Sequence, residues 1–325
     1  MIKAGIIGGT GYTAGELIRI LRYHSQVEIA FVYSQSKAGE SISSVHEDLF
    51  DCQPETFTDL IQADVNVVFL CLGHGNSTAF LKQHAFSEQT VIIDLSNDFR
   101  LKNDANFNGK SFTYGLPEVH KTAIRNAKHI ANPGCFATSI QLALAPLAKA
   151  QLLHSDVHIH GITGSTGAGA SLSDTAHFSW RNNNLSVYKA MTHQHLGEIA
   201  EQVNALQVSF NQTLNFVPLR GNFTRGILVT LYTETALSES ELVELFTHYY
   251  QHEPFVKIST QPIHLKQVVN TNYALLQVQK MDGKVLVTSV IDNLLKGASG
   301  QAVQNMNLMF GFEETTGLQL KANFF

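Results

Sequence analysis

Cysteine is scarce in this 325-residue chain, which holds only Cys52, Cys71 and Cys135. Three scattered thiols cannot build a disulfide framework, and they point to a reducing compartment. Proline is scarce too, at seven residues, and no Pro-rich, Gly/Ser-rich, low-complexity or repeated segment divides the chain, which excludes linker-rich and repeat architectures. Charged residues make up only 15%, the net charge is −5, and no Lys/Arg cluster exceeds two residues. A nucleic-acid-binding surface is therefore not expected. The longest apolar run, near residues 65–72, falls far short of a membrane span, and the N-terminal apolar stretch lacks the longer core and small-residue cleavage site of a secretion signal. The expectation is a cytoplasmic protein with no membrane partner.

What is present suits a globular chain of two domains of about 150 residues. Apolar residues reach 44%, and the mean hydropathy is −0.01. Ile2 to Ile7 reads as a buried strand, and Gly8-Gly9-Thr10-Gly11-Tyr12-Thr13-Ala14 runs directly into a helix with Leu17, Ile18 and Leu21 on one face. A second strand follows at Val27 to Tyr33. Gly8, Gly11 and Ala14 form a variant of the dinucleotide fingerprint: a tight turn, close approach to a pyrophosphate, and close helix–strand packing. After the second strand, Ser34, Ser36 and Lys37 stand where a ribose-binding acid would select NAD(H), and hydroxyls with a cation suit a 2′-phosphate, hence NADP(H). Further strands near 65–72 and 91–95 end in loops that border a ligand in an open parallel sheet, which makes Gly73 and Ser77 candidate cofactor contacts. His74 reads as a loop residue.

Asn132-Pro133-Gly134-Cys135 follows a short strand at His129 to Ala131 and precedes a long apolar run. The Pro-Gly turn leaves the thiol in the first turn of a helix, where unpaired N–H groups and the helix dipole favour an anion and lower a cysteine pKa from about 8.5 to roughly 3.5–7.5. Such a thiolate attacks acyl carbon. The same amides, with Asn132, would stabilise an oxyanion. The Gly-rich loop at 163–171, including Ser165 and Gly167, offers N–H groups and hydroxyls to an anionic substrate. His193 and His195 are both candidate general acid–base groups, and a spacing of two does not separate them. Arg225, with Arg100, would meet a substrate anion, Arg220 being a weaker candidate. His154, His158 and His160 read as a solvated strand edge, and no metal is expected. Met281-Asp282-Gly283 between two alternating segments predicts a hairpin, and hence a second domain with a mixed or antiparallel sheet. Asp292 to Gly300 is expected to open a final helix returning to the first domain, with Asn293 near the nicotinamide.

The motifs taken together resemble the N-acetyl-γ-glutamyl-phosphate reductases, within the aspartate-semialdehyde-dehydrogenase-like group. The resemblance is carried by Gly8 to Tyr12, Asp94-Leu95-Ser96 with Phe99-Arg100, Tyr114 to Glu118, Pro133-Gly134-Cys135, Gly164 to Gly169, His193-Gln194-His195 with Glu198-Ile199, Arg225 to Leu228, and Asp292 to Gly297. It implies a Rossmann-type doubly wound sheet over residues 1–134 plus about 293–325, and a glyceraldehyde-3-phosphate-dehydrogenase-like α+β catalytic domain over 135–292. It also implies NADP(H), reduction of an acyl phosphate to a semialdehyde and phosphate through a Cys135 thioester, a place in arginine biosynthesis, and a homodimer or homotetramer. The chain departs from the family at Ala170, where Arg is usual, at Ala14, and at Val217-Pro218-Leu219-Arg220 in place of Thr-Pro-His-Leu. These positions surround the substrate. N-succinyl and aspartyl substrates, and a non-catalytic thiol sensor, remain alternatives, with Arg181 or Arg220 as readers of an extra carboxylate.

Overall fold

A computed structural model describes all 325 residues, and the chain divides into two compact units, 1–134 with 298–319 and 135–297 with 320–325. In the first unit the chain forms β1 (Ile2–Ile7), α1 (Tyr12–Leu21), β2 (Val27–Tyr33), β3 (Val67–Leu70), α2 (Asn76–Gln83), β4 (Val91–Asp94), β5 (Asn106–Phe107), β6 (Lys110–Tyr114), α3 (Pro117–Arg125) and β7 (His129–Ala131). The sheet order is β2-β1-β3-β4-β7-β6-β5, parallel except for the short edge strand β5. Strands covered on both faces read as continuous apolar runs, and β3, Val-Val-Phe-Leu, is buried at every residue. Gly5 is required beneath Phe31, because a Cβ there would lie 2.4 Å from the ring.

The second unit opens with α4 (Cys135–Lys149) and continues through β8 (Val157–Thr163), α5 (Phe178–Arg181), β9 (Ser186–Val187), α6 (His195–Leu206), β10 (Leu214–Arg220), β11 (Ile227–Glu234), α7 (Glu239–Tyr250), β12 (Val256–Ser259), β13 (Ala274–Met281) and β14 (Lys284–Ile291). Its mixed sheet runs β12-β13-β14-β11-β8-β10-β9. Every residue of α4 from Phe136 to Ala148 is buried. The helix packs against α6 and against β11 and β14. The hairpin joining β13 to β14 turns through Asp282 and Gly283, both at positive φ (45° and 74°), as a two-residue loop matched to strand twist demands. The chain then returns to the first unit in α8 (Ser299–Met309), which packs on α1 and α3.

The boundaries differ from the sequence expectation at the end of the chain. Residues 293–297 belong to the second unit, as do 320–325. Asn323 N donates to Val269 O (3.0 Å) and Asn270 Nδ2 to Lys321 O (2.9 Å), so backbone pairing decides where the last residues go.

One buried histidine makes the first unit sensitive to acid. His129 in β7 packs on Phe112, and its Nδ1 accepts from Ile92 N at 3.2 Å. Burial, with smaller contributions from Lys110 and Lys128, pushes its pKa down to about 4. The unfolded chain takes up this proton near 6.5, so the stabilisation is full above that pH and is lost as pH falls towards 4. His129→Asn keeps an acceptor and removes the titration. Its melting temperature should fall less than the wild type's between pH 7 and pH 5; parallel pH profiles would contradict this.

Candidate active site

The glycine turn of the first unit is built for close approach. Gly8 has φ +82°, and a Cβ on it would lie 2.6 Å from Cys71 O, so position 8 excludes any side chain. Gly9 is walled by Val32 and Phe57, whereas a Cβ on Gly11 would meet nothing closer than 3.8 Å. Gly8 N and Gly9 N donate to Tyr33 O, which ties the turn to β2. Gly11 caps α1, no side chain bonds the first-turn amides, and no acid lies in that turn. Thr10, Tyr12, Thr13 and Ala14 thus surround an uncapped helix N-terminus, which suits a pyrophosphate. Ser34 is buried, while Ser36 and Lys37 lie in a short exposed turn, where Lys37 Nζ pairs with Glu40 at 3.0 Å.

Several residues read from sequence as ligand contacts fasten loops. Ser77 is fully buried, and its hydroxyl donates to Asp94 Oδ1 (2.5 Å), while Ser96 Oγ donates to Oδ2 (2.7 Å). Burial pushes the Asp94 carboxyl up to about 6 against these bonds. Gly73 closes the turn ahead of α2 by accepting from Asn76 N. Arg100 is also buried, donating from Nε to Asn132 O (2.8 Å) and from a terminal nitrogen to Leu95 O (3.0 Å). Asn132 is committed at both ends of its amide: Oδ1 accepts from Asn305 Nδ2 (3.1 Å), and Nδ2 donates to Ala298 O (3.2 Å). Arg100 and Asn132 therefore set the backbone before the thiol.

In the second unit Cys135 is the first residue of α4 and is partly exposed. The other thiols are poor nucleophiles: burial raises Cys52, and desolvation pushes the half-buried Cys71 up to about 12. Phe136, next to the thiol, packs edge-on against His193 (5.8 Å between centroids) and Phe216 (5.2 Å). His193 also meets Tyr188 (5.7 Å) and His195 (4.6 Å). His193 Nδ1 accepts from His195 N at 3.2 Å, which places the proton of its neutral ring on Nε2. His195 opens α6 with Nε2 3.9 Å from Glu198 Oε1, both side chains buried. Burial, together with the charge of Cys135, drives the Tyr188 phenol up to about 12 despite an opposing Arg220. Tyr188 was not singled out from sequence. Nothing in its local pattern distinguishes it, and only the fold brings it to the thiol.

Asp292, fully buried, organises the surrounding turns. It pairs with Arg225 (Nε to Oδ2, 3.0 Å; a terminal nitrogen to Oδ1, 3.2 Å) and accepts from the amides of Leu294, Leu295 and Asn270. Arg225 is thus already neutralised. Asn293 Oδ1 accepts from Gly226 N (2.7 Å) and its Nδ2 donates to Thr166 Oγ1 (3.0 Å), so its amide joins two turns of the second unit. Ser165 N and Thr166 N donate to the carbonyls of Phe223 and Thr224, and Gly167 N to Gly164 O. The Gly-rich loop is pinned rather than open at these amides. Gly297 lies against the nucleophile: a Cβ there would come 2.8 Å from Cys135 Cβ and 2.6 Å from Asn293 O.

Residues 3–127 match the semialdehyde dehydrogenase NAD-binding domain, and residues 135–293 match the semialdehyde dehydrogenase dimerisation domain. The N-acetyl-gamma-glutamyl-phosphate reductase of Flavobacterium johnsoniae is 60% identical over 325 residues, covering 100% of both chains, and that of Christiangramia forsetii is 55% identical over the same span. The chain belongs to the N-acetyl-gamma-glutamyl-phosphate reductase family. In fold, it is similar to the aspartate semialdehyde dehydrogenase II of Vibrio cholerae solved with ASA, with a TM-score of 0.75 and 17% identity, covering 96% of this chain and 98% of that one.

Removing the Asp292 charge should cost both stability and rate. Asp292→Asn leaves the partly buried Arg225 guanidinium uncompensated, a change on the order of 3 kcal/mol. Its urea midpoint should drop, with turnover falling in parallel; a wild-type midpoint would show that the pair does not organise these turns.

Proposed function

We propose that the protein reduces N-acetyl-L-glutamyl 5-phosphate with NADPH to N-acetyl-L-glutamate 5-semialdehyde and phosphate, reversibly, in arginine biosynthesis. The observation that carries this reading is full-length identity of up to 60% to reductases of that name, in a chain whose partly exposed thiol heads a buried helix. The residues of the second unit support each step. His193 accepts the Cys135 proton, and the thiolate attacks the γ-acyl carbon; a C–S bond forms as the C–O bond to phosphate breaks, leaving a thioester. Amides of the first turn of α4 stabilise the oxyanion. When bound, the nicotinamide nucleotide supplies a hydride for the thioester carbon. His193 then protonates the resulting alkoxide and takes the proton back as the C–S bond breaks, releasing aldehyde and thiolate. His195, with Glu198 beside its ring, holds the first imidazole in place through the hydrogen bond that its backbone N–H donates to Nδ1. Tyr188 stays protonated across the neutral range and can donate.

Gly8 to Ala14 fit the pyrophosphate of NADP(H), and Ser34, Ser36 and Lys37 are the proposed 2′-phosphate contacts, with Lys37 exchanging its exposed Glu40 partner for phosphate. Ser165 is proposed to contact the substrate. No helix of the chain is long and apolar enough to cross a membrane. A cytoplasmic location is proposed from the reducing environment that Cys135 needs.

The test is arsenate-dependent reduction of NADP⁺ by N-acetyl-glutamate semialdehyde. Wild type should turn over and Cys135→Ala should lose at least about a thousandfold in kcat while keeping its affinity for NADP⁺. Residual turnover near wild type would refute the thioester.

A homodimer is the proposed assembly. The second unit exposes Leu172 (102%), Phe178 (76%), Leu185 (54%), Val187 (56%) and Met191 (52%) around the edge strand β9. Such exposed apolar side chains on the unit matched by a dimerisation domain support an interface between copies. Phe178→Glu should shift the mass measured by light scattering towards the monomer; an unchanged dimer would place the interface elsewhere.

A further inference from the structure

The alternation of β10 carries a cation to the reactive face of the second sheet. Phe216, Pro218 and Arg220 share one face, since strand residues two apart point the same way. Phe216 on that face packs against Phe136 (5.2 Å) and His193 (5.5 Å), the neighbours of the nucleophile. At the end of the strand the Arg220 guanidinium carbon lies 4.8 Å from the centroid of Tyr188, the ring that also packs on His193. Arg220 thus stands one aromatic ring from the catalytic imidazole.

Its electrostatic surroundings set it apart from the other arginines of this unit. Arg225 is neutralised by Asp292. Arg181 spends its nitrogens on Thr175 O, Arg220 O and Ser186 Oγ, as a clamp on the β9 segment, so it is not a reader of substrate. Arg220 has no carboxylate partner: its cation rests on the face and hydroxyl of Tyr188, and its buried Nε has no hydrogen-bond partner. The nearest charge acting on Arg181 is that of Arg220, so the neighbourhood is positive. A buried guanidinium donor left unmatched is costly, and a planar fork is matched by a carboxylate.

We propose that Arg220 holds a carboxylate of the substrate and so sets its selectivity. The proposal rests on the reading of Cys135 and His193 as the reacting groups. Every N-acyl-glutamyl substrate brings an α-carboxylate, separated from the reacting carbon by two methylenes and the α-carbon, and an N-succinyl group would bring a second one. Arg220 supplies the cation that either carboxylate needs.

The test compares wild type with Arg220→Gln on three aldehydes in the arsenate-dependent direction: N-acetyl-glutamate semialdehyde, its analogue without the α-carboxylate (4-acetamidobutanal), and N-succinyl-glutamate semialdehyde. With Arg220 on the α-carboxylate, the variant's KM for N-acetyl-glutamate semialdehyde rises about ten- to a hundredfold with kcat nearly kept. The 4-acetamidobutanal rate, already low in wild type, then stays the same. A KM rise confined to the N-succinyl aldehyde assigns the acyl carboxylate instead, and also supports the proposal. Equal losses on all three aldehydes, or none on any, overturn it. Arg220→Lys, which keeps charge without the fork, gives an intermediate KM and replaces the Gln variant if that one fails to fold. Failure of the underlying reading is distinguishable, because then wild type itself shows no Cys135-dependent turnover of any of the three.

Discussion

The second unit depends on one buried carboxylate. Asp292, directly after the interior strand β14, has no exposed surface and accepts from an arginine and three backbone amides. A buried charge is tolerated only when its lone pairs are matched, and here the matching groups come from separate turns. Arg225 brings the turn before β11, Asn270 the turn before β13, and Leu294 and Leu295 the segment leading to Gly297. From that segment Asn293 reaches the Gly-rich loop, and Gly297 meets Cys135. The shape around the thiol is therefore a result of satisfying one anion.

A comparable economy holds in the first unit, where two carboxylates tie the loops after β3 and β4 together. Asp94 takes the hydroxyls of Ser77 and Ser96. Asp98 caps α2 by accepting from Gly75 N (2.6 Å) and Thr78 N (2.9 Å); burial alone would raise its pKa, but these amides hold it below the ordinary value. Loops at the carboxyl ends of parallel strands must be rigid to receive a nucleotide, and side-chain bonds supply that rigidity where the ladder ends.

This explains which parts of the molecule could be read from sequence. The two sheets, the glycine turn, the helix headed by Cys135 and the hairpin at Asp282-Gly283 all rest on local patterns: periodicity, positive φ, and a turn followed by an apolar run. Ser77, Arg100, Asn132, Asn293 and Arg225 were read as contacts because hydroxyls, amides and guanidinium groups near ligand-facing loops have the right chemistry. The same chemistry fastens loops, and only the three-dimensional partner separates the two uses. Tyr188 shows the converse: its electrostatic coupling to Cys135 joins segments far apart in sequence, and no spacing rule records it.

The chain passes between its two units three times, after Gly134, after Gly297 and after Gln319. Neither unit is thus encoded by one uninterrupted stretch. A chimaera that exchanged residues 1–134 alone would inherit a foreign α8, whose Ser299 bonds Thr13 O and whose Asn305 bonds Gly115 O and Asn132. An intact exchange of the nucleotide unit therefore has to carry residues 298–319 along with 1–134, two separated stretches that must come from one parent.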